Sequence, residues 1–162
     1  MLIALSSQSE ETIVAVATAV AEGEGSIAVI RISGTLAEEV GRKIVFLPGQ
    51  QVWGSHRVLY GFVMNEEANE QLDEVLLLIM QAPRSFTGEN VIEIHCHGGI
   101  VSVQRVLERI LSCKGVRKAL PGEFSYRAVL NGRLNLTQAE AISELITARS
   151  RKAAQLAISG LD

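Results

Sequence analysis

The sequence predicts an α+β domain, a mixed and mainly antiparallel sheet with helices packed on it, followed by a C-terminal helical segment. Three observations carry that expectation. Short runs rich in β-branched residues recur between turn signals from Thr12 to Met80. From Val91 to Ser112 a strand with two very different faces passes through a glycine pair into a helix. Beyond Pro121-Gly122 the pattern is wholly helical. A chain of 162 residues can bury one good core with an appendage, so the expected division is 1–121 and 122–162.

In chain order, Thr12 to Thr18 is β-branched enough to be a strand, and Gly23 to Ser26 turn the chain into a second strand over Ile27 to Ser33, antiparallel to the first. Arg31 interrupts that apolar run. A guanidinium there needs a partner, either a carboxylate of the protein or an anionic ligand, because an unpaired buried charge costs several kcal/mol. Thr35 with Glu38 forms a capping box, so a helix is expected from Leu36 to about Phe46, with Val40, Ile44 and Val45 toward the core. Pro48-Gly49 ends it. His56 to Met64 and Asp73 to Gln81 read as a hairpin joined by the polar loop Asn65 to Gln71. The second strand runs Val75-Leu76-Leu77-Leu78-Ile79-Met80 without alternation, which suggests cover on both faces and a central place in the sheet.

Pro83 to Asn90 is too long and irregular for a plain turn, and long ordered loops often carry function. It delivers the chain into Val91 to Gly99, where a period of two puts Ile92, Ile94 and Cys96 on one face and Glu93, His95 and His97 on the other. One face belongs to the core. The other sets a carboxylate and two imidazoles beside the backbone amides that open a helix over Ile100 to Ser112, an arrangement suited to a small molecule. An edge strand wetting its polar face has the same periodicity. Lys114-Gly115 closes the helix and Val116 to Leu120 supplies a last short strand. Phe124 to Leu130 makes two helical turns, Asn131-Gly132 breaks them, and Thr137 with Glu140 starts a helix running toward Ser159. Its stripe of Ile142, Leu145, Ile146, Ala153, Leu156 and Ala157 needs cover from outside this chain, from a second copy, or from the domain itself, as in the leading fragment of something longer.

Composition removes several classes. Hydrophobic residues make up 48% and the mean hydropathy is +0.24, values of a folded domain. A net charge of −3 without a Lys/Arg run argues against a large phosphate-tracking surface, and 4% aromatics cannot build a platform for stacked bases. Met1 to Leu5 lacks the basic start and length of a secretory signal, and Val75 to Met80 is too short to cross a bilayer, so a cytoplasmic chain without membrane contact is expected. Cys96 and Cys113 fit neither a C-x-x-C pair nor a disulfide framework and read as buried thiols in a reducing compartment. A metal-dependent hydrolase using Glu93, His95 and His97 is a rival, weakened because adjacent same-face positions on a strand lie about 7 Å apart. A ligand-free dimerisation module is another.

The ordered set Arg31-Ile32-Ser33-Gly34, Ser85-Phe86-Thr87-Gly88-Glu89, Glu93 with His97-Gly98-Gly99, Pro121-Gly122-Glu123-Phe124-Ser125 with Arg127-Ala128, Leu130-Asn131-Gly132 and Gln138-Ala139-Glu140-Ala141 resembles the N-terminal part of the MnmE (TrmE) family of tRNA-modification GTPases. Each motif alone is weak; in order over about a hundred residues they are specific. The resemblance implies a fold like the N-terminal part of the glycine-cleavage aminomethyltransferase, a homodimer, and a bound 5-formyl- or 5,10-methylene-tetrahydrofolate held by Arg31, Glu93 and Arg133. The family usually has Lys where Arg133 stands. It further implies a helical domain interrupted by a G domain that uses GTP, K+ and Mg2+, and a FAD-dependent partner, MnmG (GidA). With that partner the family modifies C5 of the wobble uridine of tRNA. No G-x-x-x-x-G-K-[ST] occurs in this chain, so GTP hydrolysis is expected of the parent protein alone and no catalytic residue is assigned.

Overall fold

A computed structural model describes residues 11–18, 27–142, 144, 145, 148 and 152. Among them seven strands form one mixed sheet: β1 (Thr12–Val16), β2 (Ala28–Ser33), β3 (Val45–Phe46), β4 (Arg57–Met64), β5 (Gln71–Met80), β6 (Val91–Cys96) and β7 (Val116–Lys118). Their order across the sheet is β3-β4-β5-β6-β2-β1-β7, antiparallel except where β7 lies parallel to β1. The expected antiparallel pair at the start and the hairpin after His56 are both present. Helices α1 (Ala37–Ile44) and α2 (Gly99–Leu111) pack on one face and α3 (Glu123–Leu130) follows the last strand. The sequence-predicted α+β class is the observed one.

The core lies between that sheet face and the two helices. Ile30, Ile32, Leu77, Ile79, Ile92 and Ile94 point into it from the strands and meet Val40, Ile44, Val103, Val106 and Ile110 from the helices. Alternation along each strand does this, since every second side chain shares a face. Burying an aliphatic side chain of this size is worth about 1.5–3 kcal/mol each, so this layer holds most of the fold's stabilisation.

Four local expectations are corrected. The helix after Gly34 starts at Ala37 with no side-chain cap; instead the hydroxyl of Thr12 on β1 accepts the Leu36 N–H at 2.9 Å, so a tertiary contact does what Thr35 and Glu38 were expected to do. It also stops at Ile44, because Val45 and Phe46 leave it to pair with Val63 and Phe62 of β4 as an edge strand. That close pairing needs Gly61, where a β-carbon would collide with the Phe46 carbonyl oxygen. The apolar run in β5 is not covered on both faces: Leu72, Val75, Leu77 and Ile79 are buried, but Leu76 is 37% exposed beside Tyr60 and Val58 on a face that α1 and α2 leave open. Finally, the box at the last helix is made by Asn135 and Gln138, each side chain accepting the other's backbone N–H at 2.8 and 2.9 Å, rather than by Thr137 and Glu140. Leu145 of its stripe is exposed; Ile146, Ala153, Leu156 and Ala157 lie outside the described residues, as does the turn at Gly23 to Ser26.

Candidate ligand-binding site

Strand register brings the first two candidates together. Arg31 of β2 stands opposite Glu93 of β6, both on the open face, and Ala15 of β1 stands opposite Arg31 in the same row. Arg31 Nε and Nη2 both lie 2.9 Å from Glu93 Oε2. The pair is three-quarters or more shielded from solvent, which makes it stronger than a surface ion pair and costly to break from one side. The partner required for Arg31 is therefore a carboxylate of the protein.

Two rings flank the guanidinium. Its carbon is 5.4 Å from the centroid of Phe86 and 5.5 Å from that of Phe124, within cation–π range of both. Beside them opens a hollow of about 350 Å³, lined by Ala15, Val16, Ala17, Arg31, Phe86 and Phe124 and closed by the Ala119 to Ser125 segment and Ile142. It has apolar walls and one cation, a composition that takes a flat, partly apolar molecule carrying an acceptor or an anionic group.

The rings are held by a network that ties the separate sequence motifs into one body. Ser33, next on the strand but one after Arg31, contacts the Thr87 hydroxyl at 2.8 Å and donates to Glu89 at 2.9 Å, fixing the loop that carries Phe86. Arg127 of α3 is 1% exposed and donates from Nη1 to both oxygens of Glu89 at 3.1 and 3.2 Å, so α3, which carries Phe124, is clamped to the same loop. Asn131 Nδ2 donates to the Thr87 carbonyl at 2.9 Å. Gly88 sits at φ +81° under Asn131, where a β-carbon would come within 2.8 Å of the Asn131 Cβ. Glu123 accepts from Arg117 at 2.6 and 2.8 Å and from the Leu120 N–H at 2.8 Å. Burial works to raise its carboxyl pKa, but the hydrogen bonds from Arg117 and Leu120 and the charges of Arg117 and Arg127 outweigh it and hold the value below the ordinary one. Arg117 is raised in turn, chiefly by its hydrogen bond to Glu123.

The third candidate, Arg133, is exposed and does not line the hollow; its N–H bonds to the Ala128 carbonyl at 2.7 Å and ends α3, and its stem lies beside Gly88, two residues from Phe86. The face expected to hold Glu93, His95 and His97 holds only the first two. β6 ends at Cys96, and His97 turns away so that its Nδ1 meets the Glu74 carbonyl at 3.1 Å. Among the described residues no three His, Cys, Asp or Glu side chains come together as a metal site. The amides that open α2 are also occupied: Asp73 Oδ2 accepts from His97 N–H at 2.9 Å and Gly98 N–H at 3.1 Å. Cys96 is buried, and that burial together with the Asp73 charge pushes its thiol up to about 12.

Sequence reasoning singled out the Pro83 to Asn90 loop but none of its side chains, and missed Phe86, Phe124, Arg127 and Asp73. For Phe86, Phe124 and Arg127 the signal was membership of the motifs quoted for the resemblance, and what ties them to Arg31 and Glu89 lies 38 residues or more away in the chain; Asp73 stands outside those motifs and reaches 24 residues to His97.

The fold and this site define an α+β domain organised around an arginine–carboxylate pair on the sheet face opposite α1 and α2. The chain belongs to the family described as GTP-binding protein TrmE N-terminus, whose model matches residues 12–133. It is similar to the tRNA modification GTPase MnmE of Prochlorococcus marinus (strain MIT 9303), 69% identical over 153 residues that cover 94% of this chain and 33% of that protein. It is likewise similar to the protein of the same name from Synechococcus sp. (strain CC9902), 68% identical over 152 residues, covering 94% of this chain and 34% of the relative. The chain thus spans about a third of the length of the curated relatives it matches.

Proposed function

We propose that this chain is the tetrahydrofolate-binding and dimerisation part of a cytoplasmic tRNA-modification GTPase. In this reading residues 1–121 carry the folate site and 122–162 begin a helical domain, with the latter lending Phe124 to the hollow. The complete protein modifies C5 of the wobble uridine of tRNA, in a 5-carboxymethylaminomethyl-type reaction, with the FAD-dependent MnmG (GidA) as partner. GTP, K+ and Mg2+ belong to a G domain outside this chain.

One observation carries the folate assignment: Arg31, which lines a ring-walled hollow, is paired with the Glu93 carboxylate beside it. A pterin edge presents N–H donors side by side, which a fixed carboxylate accepts, and its ring is flat enough to slide against Phe86 and Phe124. At about 350 Å³ the hollow is at the small end of the roughly 300–1,000 Å³ typical of ligand sites, so it suits the bicyclic head and leaves the glutamate tail outside. Arg133, exposed beside the Phe86 loop, is the cation suited to the tail's carboxylates. Dimerisation is supported by the open face with Val58, Tyr60 and Leu76, apolar surface that a second copy would cover.

Titration of the chain with 5-formyltetrahydrofolate by calorimetry, repeated at several protein concentrations with sedimentation in parallel, tests ligand and assembly together. Micromolar binding is expected, weakened at least about 30-fold in Glu93→Ala and Arg31→Ala, the equivalent of removing one side of a shielded charge contact. Wild-type affinity in both folded variants would falsify the site.

A further inference from the structure

We infer that His95 is a positioning residue for Glu93: its Nε2–H donates to Glu93 Oε1 and holds the carboxylate in one orientation against Arg31, the residue of the pair that lines the hollow. The ligand part of this inference rests on the folate reading; the hydrogen bond itself does not.

Glu93 and His95 are two apart on β6 and share the open face. The two oxygens of Glu93 are not equivalent. Oε2 takes both Arg31 contacts at 2.9 Å, whereas Oε1 faces His95 Nε2 at 3.6 Å. That nitrogen is buried and has no hydrogen-bond partner. The residues flanking His95 in register, Leu76 on β5 and Val29 on β2, are apolar and have no side-chain acceptor to offer. Were Nε2 to present its lone pair, two acceptors would face one another in a shielded setting, one of them charged. Placing the imidazole proton on Nε2 turns that repulsion into an attraction and satisfies the orphaned atom. A small rotation of the carboxylate closes 3.6 Å to the roughly 2.8–3.0 Å of a charge-assisted bond.

Held by a guanidinium on one oxygen and an imidazole on the other, the carboxylate cannot spin about its last torsion. Its remaining lone pairs then point in fixed directions before the ligand arrives. Preorganisation of that kind improves affinity by removing an ordering cost from the binding step. His95 thus acts through Glu93 and is not itself a ligand contact.

Two measurements on the folded chain separate the parts. Long-range ¹H–¹⁵N correlation of the three histidine rings, with the His95 signals assigned from their loss in His95→Gln, is expected to show the proton on Nε2 without ligand and a shifted Nε2 resonance in Glu93→Gln. A proton on Nδ1 with a bare Nε2 overturns the inference whatever the chain binds. In the calorimetric titration with 5-formyltetrahydrofolate, His95→Leu is expected to lose about 10-fold in affinity, and His95→Gln, whose amide N–H can reach the same oxygen, to stay within about 3-fold of wild type. Wild-type affinity in His95→Leu, or equal loss in both variants, overturns the positioning role. Should His95→Leu fail to fold, the tautomer and the His95→Gln affinity still decide. A protonated Nε2 in a chain that binds no folate leaves the Glu93 contact standing and sinks the folate reading instead.

Discussion

Replacing Arg127 by methionine removes the charge that joins the loop carrying Phe86 to the helix carrying Phe124. Methionine matches the length of the arginine stem but has nothing to give Glu89, whose two oxygens now receive Nη1 at 3.1 and 3.2 Å, or the Glu11 carbonyl, to which Nη2 donates. Breaking a buried ion pair from one side typically costs about 3–5 kcal/mol, because the remaining charge stays desolvated. The lower end applies here: Glu123 retains Arg117 at 2.6 Å, and Glu89 keeps the Ser33 hydroxyl at 2.9 Å. A loss of about 3 kcal/mol lowers the thermal midpoint of a chain this size by about 6–12 °C. Thermal unfolding followed by circular dichroism measures it, with Arg127→Met/Glu89→Gln beside the single variant. Neutralising Glu89 removes the stranded charge, so the double variant is expected to recover about 1 kcal/mol or more. If Arg127→Met costs under about 1 kcal/mol, or if the double variant is as unstable as the sum of the two single changes, the clamp is not what holds the loop and α3 together.

Other perturbations reach different parts of the molecule. Because the Glu123 carboxyl is held below its ordinary pKa, near 4.3 for a free side chain, its stabilisation is complete above that value and is lost as pH falls through the lowered one. The gap in thermal midpoint between wild type and Glu123→Gln is therefore expected to be widest at neutral pH and to shrink below about pH 4; a gap that stays constant down to pH 2 refutes the assignment. Asp73→Ala leaves the His97 and Gly98 amides without their acceptor at the start of α2 and is expected to cost about 0.5–2 kcal/mol in denaturant unfolding, with faster exchange of exactly those amide protons as the local signature. With its thiol pushed up to about 12 and 1% exposed, Cys96 is expected to resist a disulfide reagent at pH 8 until the chain unfolds, and its rapid labelling in the native state would contradict the buried placement.

Much of the architecture was legible because it depends on local periodicity. The strand at Val91 to Cys96 and the helix after it follow from alternation giving way to helical spacing across two glycines, and their observed bounds match within a residue or two. Where the reading went astray, a distant group had supplied what a local rule assumed. Thr12 took over the capping of α1 from 24 residues away. The β5 run is apolar throughout, and a sequence cannot say that one of its faces is left open, because cover is a property of what packs there.

The amino-acid sequence alone determined that Arg31 needed either a carboxylate of the protein or an anionic ligand, that Glu93 would share a face with His95, and which family the chain resembles; each depends on residue chemistry or short spacing. Only the tertiary structure decided that Arg31 and Glu93 are each other's partner, that Phe86 and Phe124 flank them, and that Asp73 takes the amides at the head of α2. Those contacts join residues 24 to 93 apart in the chain, and their geometry is set by strand register and by the Arg127 clamp, neither of which leaves a periodic trace in the order of residues.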